Sequence, residues 1–186
     1  MDNGAKYYRR YLDGEDDGLV ELVTEYKDGL MLYLNSYVRN IHIAEELTEE
    51  TFFRLITRKP KFSGKSTFQS WLYGIGRNIT LDYVRRSARH KHTSFNQSDL
   101  ESCMKEETDL ETAYLKEEQK LVLYQALSKL NAEYRAVLWL IYMEEFSNKE
   151  AAAVLKKSDR QMRNLLYRAK QSLKAILEKE GFDYEK

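Results

Sequence analysis

The sequence predicts an all-α protein: two small helical domains joined by a flexible linker, the second carrying a helix-turn-helix. Apolar residues recur at i, i+3, i+4 and i+7 over most of the chain, the period of helices with one buried face. One proline and eight glycines among 186 residues leave few turn formers for a β fold. The periodicity fails only in "HTSFNQSDLESCMKEETDL", residues 92–110, which is polar, acidic and suited to a linker. The expected division is therefore residues 1–91, a linker at 92–110, and residues 111–186.

Leu19, Leu22, Val23, Tyr26, Leu30, Leu34 and Tyr37 form one stripe of a long first helix. "IAEELTEETFFRLITRK" reads as a second helix, stopped by Pro60, whose ring excludes helix at the residue before it. "KFSGKS" is a short basic loop, after which Ser66 and Gln69 form a capping box that opens a third helix at Thr67, running to about Arg89. Beyond the linker, helices are expected near 111–129 and 132–143, the latter with a stripe of Tyr134, Val137, Leu138, Ile141 and Tyr142. Capping boxes at Ser147–Glu150 and Ser158–Gln161 start a short helix at about 148–156 and a long one at about 159–179. Two helices so closely punctuated are the pattern of a helix-turn-helix. Each half is small, and each is expected to bury its stripes against its own neighbours.

Charge and composition narrow the function. The net charge is zero, yet residues 54–92 hold ten basic side chains against the single acid Asp82, and 147–180 hold nine against four. The blocks 1–53 and 93–146 are acidic, with 12 acids against five bases and 11 against five. Two positive blocks set between negative ones point to two polyanion contacts on one chain. No apolar run approaches a membrane span, and the first residues carry no secretion signal, so no membrane insertion is expected. The lone cysteine, Cys103, has no partner for an internal disulfide, which suits the reducing cytoplasm.

The candidate binding residues lie in the basic blocks. In "KSTFQSWLYGIGRNITLDYVRR", Lys65, Ser66, Arg77, Asn78 and Arg85 supply donors for something flat and negatively charged, and Asp82 is expected to order the cations around it. Asn78 carries both a donor and an acceptor. Phe68, Trp71 and Tyr73 offer flat surface, although the spacing of Phe68, Trp71 and Leu72 favours a core role; Ile75, Ile79 and Val84 extend that inward face. On the last helix Met162, Leu165, Ala169, Leu173 and Ile176 make the apolar stripe. Arg160, Gln161, Arg163, Asn164, Tyr167 and Arg168 lie on or beside the opposite face, with Lys170, Gln171 and Lys174. One face holding a bundle while the other offers forked donors to base edges is the division a recognition helix needs.

Catalysis and cofactors find no support. His90 and His92 lack a Cys or carboxylate to complete a metal site, and "GIG" at 74–76 lacks the strand and third glycine of a nucleotide loop. Glu45, Glu46, Glu49 and Glu50 read as a solvated helix face.

Over nearly its full length the chain resembles the extracytoplasmic-function class of bacterial RNA polymerase sigma factors. "AEELTEETFFRL" is similar to the segment by which that family grips the polymerase clamp helices, which implies a polymerase-binding role for Glu46, Glu49, Glu50 and Phe52. "FQSWLYGIGRNITLDYVRR" is similar to the segment that opens and reads the −10 element, and "SNKEAAAVLKKSDRQMRNLLYRAKQSLK" to the helix-turn-helix that reads the −35 element. The resemblance implies core RNA polymerase and promoter DNA as partners, an anti-sigma factor as a further one, and no enzymatic activity. Three positions depart from the family pattern: Glu49 stands for a glutamine, Asn131 for a proline and Lys156 for a glycine. Two other readings of the residues stay open, a free-standing helix-turn-helix regulator and a helical protein whose basic faces meet acidic partners.

Overall fold

The structure is a computed structural model, and it describes residues 2–91 and 123–179. Seven helices are bounded at both ends within them: α1 (Asn3–Leu12), α2 (Asp16–Val38), α3 (Ile41–Arg58), α4 (Phe68–Lys91), α5 (Ala132–Tyr142), α6 (Asn148–Leu155) and α7 (Asp159–Lys179). Residues 123–129 are also helical, consistent with the end of the helix expected near 111–129. The linker at 92–110 and the start of that helix lie outside the described residues.

Local chemistry explains most of the boundaries. Asn40 caps α3 and Asn131 caps α5, each side chain accepting the N–H of the third residue onward. Asn131 thereby does with a hydrogen bond what a proline would do by restricting φ. Both expected capping boxes of the second half form. Ser147 Oγ accepts the Glu150 N–H while the Glu150 carboxylate accepts the Ser147 N–H at 2.9 Å, and Gln161 Oε1 accepts the Ser158 N–H at 2.9 Å. The hydrogen bonds from Ser147, chiefly its hydroxyl, hold the Glu150 carboxyl below its ordinary pKa. Lys156 ends α6 at φ 53°, the left-handed conformation that glycine would take at lower cost.

Two expectations need correction here. The capping box at Ser66–Gln69 does not form: α4 starts at Phe68, the Thr67 hydroxyl accepts the Ser70 N–H, and Gln69 points elsewhere. The Phe68 N–H is instead capped by a carboxylate 66 residues away, Asp2, at 2.6 Å. Helix α1, which the sequence reading left unassigned, is the reason. It lies along α2 and against α4, burying Tyr8 and Tyr11.

The halves also do not keep separate cores. α2 packs on α5, and α4 on α6, so that the buried side chains of both halves form one continuous cluster. Tyr73 of α4 and Phe146, just before α6, pack as a tilted ring pair with centroids 5.3 Å apart across the junction. The buried face of α5 is accordingly centred on Ala136, Val137 and Leu140, while Tyr142 is exposed.

Candidate nucleic-acid interface

Helix α4 divides its faces much as expected. Phe68, Leu72 and Ile79 are fully buried, and Trp71 and Ile75 are half-buried against the same core. Val84 is exposed, where an inward position was expected, because the inward face continues from Ile79 to Tyr83, which packs on the core, and Val84 lies one residue round the helix from it. Tyr73 is not flat surface for a ligand: it is 1% exposed, its ring stacks on Tyr33 at 5.3 Å, and its hydroxyl donates to Glu144 at 2.6 Å. Burial and the Glu144 charge push its phenol far above the ordinary value.

The outward side carries the donors. Arg85 is exposed and pairs with Asp82 at 3.1 Å, the ordering role expected of that acid. Arg77 and Asn78 are half-buried. The Arg77 Nε is buried without a hydrogen-bond partner, and the guanidinium lies beside Tyr33 and Tyr37, whose phenols burial pushes up and its charge pulls back. Lys65 is exposed and Ser66 half-buried in the loop before α4, apart from this face.

In the second half, Arg160, Gln161, Arg163, Asn164, Tyr167 and Arg168 are all exposed on α7, while Met162, Leu165 and Ala169 are buried. Leu173 and Ile176 are half-buried, and Leu177 completes the stripe. Gln161 spends its amide oxygen on the cap of its own helix, which leaves its NH₂ as the outward group. Tyr167 is 66% exposed, so burial in the bundle does not explain it. Lys170 lies over the Tyr142 ring at 5.3 Å.

The structure brings the two basic sets together. Arg77, Asn78, Asp82 and Arg85 of α4 face Leu155, Lys156 and Lys157 at the end of α6 across an open cleft of about 550 Å³. Four cations and one acid on its walls make the cleft an attractive place for a polyanion. Lys157 is partly spoken for, paired with Glu133 at 2.7 Å. Sequence reading assigned the two basic blocks separately and had no signal for this meeting.

The acidic residues of α3 stand outward as expected of a helix face, but Phe52, expected beside them as an apolar anchor, does not. Glu46 and Glu49 are exposed, and Glu50 pairs with Arg54 at 2.7 Å. Phe52 is 6% exposed and belongs to the core. Phe53, at 58%, and Ile56 stand outside. The helical period could have shown this, since the ridge through Glu46, Glu49 and Glu50 continues at i+3 and i+4 to Phe53.

A further contact went unread. Glu144 accepts from Tyr73 Oη at 2.6 Å, Trp139 Nε1 at 3.2 Å and Gln69 Nε2 at 3.3 Å, joining the turn after α5 to α4. A Cβ on Gly29 of α2 would stand 2.6 Å from the Tyr73 hydroxyl and 2.9 Å from this carboxylate, so only glycine admits the contact. Arg135 makes a second bridge, donating to the Ser36 carbonyl of α2 at 2.7 Å and to the Leu130 carbonyl. Among the described residues no group of three or more His, Cys, Asp or Glu stands close enough to hold a metal, and no helix is long and apolar enough to cross a membrane.

Comparison with known proteins agrees with this geometry. The sigma-70 region 2 family matches residues 22–90, which hold α4 and its donors, and the sigma-70 region 4 family matches 120–173, which hold the helix-turn-helix. The chain is 31% identical to the ECF RNA polymerase sigma factor SigM of Bacillus subtilis over 156 residues, 84% of this chain and 93% of that one. It is 24% identical to SigW of the same organism, covering 92% and 95% of the two chains. Two solved structures share the fold at 22% identity: the sigma factor RpoE in complex with the anti-sigma factor NepR from Bartonella quintana, and CnrH in complex with the cytosolic domain of CnrY. Their TM-scores are 0.67 and 0.62; the first match covers 88% of this chain and 98% of the other, the second 95% of each. With both sigma-70 regions in order and relatives aligned along almost their whole length, the chain belongs to the ECF class of RNA polymerase sigma factors.

Proposed function

We propose that this sigma factor, in directing core polymerase to promoters, reads the two promoter elements with the two basic faces described above. Arg77, Asn78 and Arg85 of α4, with Lys65 and Ser66 of the preceding loop, meet the displaced strand at −10. Arg160, Arg163, Asn164, Tyr167 and Arg168 of α7, helped by Gln161, enter the major groove at −35. Glu46, Glu49 and Glu50 face the polymerase, with Phe53 in place of Phe52 as the apolar contact. The working units are residues 1–91 and 111–186, with 92–110 between them. The protein acts without catalysis of its own, in the cytoplasm where polymerase is, and an anti-sigma factor is a natural regulator.

The observation that carries this reading is the pairing of a buried stripe with an outward row of donors on one helix in each sigma region. Melting leaves bases unstacked at a cost of a few kcal/mol per step, and cations plus a donor–acceptor amide offset part of it. Run-off transcription with core polymerase on duplex and pre-melted promoters tests it. Asn78→Ala should impair opening on duplex templates, recover much of its activity on a template pre-melted at −10, and lose base preference there. Normal transcription from duplex promoters with preference intact would refute the role of Asn78. A free-standing regulator finds no support among the relatives, and it would bind its operator tightly without polymerase.

A further inference from the structure

We propose that α1 is a positioning clamp for the loop at 59–67, and that Asp2 and Tyr8 thereby set base discrimination at −10 without touching DNA. The proposal rests on the reading of Lys65 and Ser66 as strand contacts given above.

The loop is held at both ends and in its middle, and free only at its tip. Where it leaves α3, the Tyr11 hydroxyl donates to the Ile56 carbonyl at 3.4 Å, and Lys59 lies over the Tyr11 ring at 5.0 Å. The buried Tyr8 hydroxyl donates to the Pro60 carbonyl at 2.8 Å. Phe62 is wedged against Phe68 and Trp71, with ring centroids 5.5 and 5.2 Å away, and Tyr8 packs on those same two rings at 5.4 and 5.6 Å. Where the loop enters α4, Asp2 Oδ2 accepts the Phe68 N–H. Asp2 Oδ1 meanwhile accepts the Ala5 N–H at 3.2 Å, so one carboxylate caps two helices and ties them together. Gly4 permits the approach, since a Cβ there would meet the Phe68 ring at 2.5 Å.

Between these anchors Lys61, Ser63, Gly64 and Lys65 are exposed, and Gly64 turns the chain at φ 70°. Local caps end α3, where the Lys59 N–H donates to the Leu55 carbonyl at 3.2 Å, and open α4, where Thr67 serves Ser70, while the Pro60 carbonyl and the Phe68 N–H are held by Tyr8 and Asp2. Ser66 does not cap α4, and the local Thr67 hydroxyl serves Ser70 rather than Phe68. A loop whose ends were free would offer Lys65 and Ser66 to a base in many geometries, and discrimination needs one. α1 is thus a structural part of the reading apparatus, although it holds none of the candidate DNA-contacting residues.

Tyr8→Phe keeps the ring packing and removes the bond to Pro60. Asp2→Asn keeps one acceptor oxygen and removes the second cap. Each full-length variant is assembled with core polymerase and transcribed from a promoter library randomised at −10 and, separately, at −35. The free protein's melting and its affinity for core are followed in parallel, and Lys65→Ala and Ser66→Ala test the loop itself. Each clamp variant is expected to lose about fivefold in discrimination at one or two −10 positions, the scale of one hydrogen bond's net contribution. Preference at −35 and affinity for core should stay unchanged. A loss that is uniform across all promoters and tracks a lowered melting temperature would overturn the proposal, since α1 would then merely support the fold. Flattened discrimination in the loop variants with none in Tyr8→Phe and Asp2→Asn would overturn the clamp alone. Unchanged −10 discrimination in the loop variants would remove the loop from the reading apparatus and the clamp with it.

Discussion

Replacing Glu144 by Ala should undock the two halves of the free protein. The carboxylate accepts three hydrogen bonds, and two of them, from Tyr73 and Gln69, cross the junction. The bond from Tyr73 is short and charge-assisted, worth about 1.5–3 kcal/mol net, while the one from Gln69, at 3.3 Å, contributes about 0.5 kcal/mol. Truncation also leaves the buried Tyr73 hydroxyl without an acceptor. The expected loss is about 2–4 kcal/mol of docking energy, or roughly a 30- to 1000-fold shift toward the open form at 1.4 kcal/mol per decade. Small-angle scattering should show a larger radius of gyration, and calorimetry should split one unfolding transition into two, because a continuous core melts as a unit only while it is continuous. Tyr73→Phe removes the same bond from the other side, so the double-mutant cycle should show a coupling of about 1–3 kcal/mol. If Glu144→Ala keeps the wild-type radius and a single transition, and the coupling falls below about 0.5 kcal/mol, the carboxylate does not hold the halves together.

Phe53→Ala should weaken association with core polymerase about tenfold while leaving the melting temperature nearly unchanged, whereas Phe52→Ala should cost about 3–5 kcal/mol of stability as a core truncation; equal effects on melting would void the distinction. Arg163→Ala should cost about 1–3 kcal/mol and relax preference at one −35 position, while Lys170→Ala weakens all sequences alike and flattens the salt dependence; the same uniform loss from both in a library assay would remove Arg163 from base reading. Buried phenols give a test at high pH. Burial raises Tyr8 from 10.0 to about 12 and raises Tyr26, Tyr33 and Tyr73 further, so the folded state holds these protons more tightly than the unfolded one. Their contribution is therefore complete below pH 10 and is lost as pH climbs through the folded values; stability in denaturant titrations should fall steeply above pH 10, and a flat profile there would count against the burial of these rings.

What the sequence disclosed and what it hid divide along physical lines. Helices α2 and α3 were legible from their periodic apolar residues, and α6 and α7 from the capping boxes at Ser147–Glu150 and Ser158–Gln161. The outward donors of α4 and α7 were legible because a stripe fixes its opposite face. Phe52 and Phe53 were within reach of the period and were confused only because they are adjacent. The second cap of α4 was not within reach: the Thr67 hydroxyl on Ser70 is a local signal, but Asp2 acts on Phe68 across 66 residues. Nor could any period show that Glu144 would accept from Tyr73, because an acid in a turn reads as solvated until its donors are known. Helix α1 is intermediate; Tyr7, Tyr8 and Tyr11 hint at a buried side, but ten residues with Gly4 inside make a weak local case.

The docked arrangement bears directly on how promoter reading must proceed. A closed particle of this length has a radius of gyration of about 16 Å. Promoter elements named for −10 and −35 lie roughly 25 base pairs apart, or about 85 Å along duplex DNA at 3.4 Å per pair. The closed form cannot span that distance, and it places Lys156 and Lys157 against the Arg77–Asn78 face of α4. Reaching both elements at once therefore requires the two halves to separate. The junction is held by polar groups as well as by the shared core. Its polar ties are the Glu144 cluster and Arg135, and Arg135 has its pKa lowered by burial, so releasing it into water recovers solvation that docking removed. The cleft cations would find in a polyanion the compensation that the free protein lacks. Docking thus leaves Arg77 and Asn78 of α4 half-buried beside Lys156 and Lys157, so the closed form offers that face only in part.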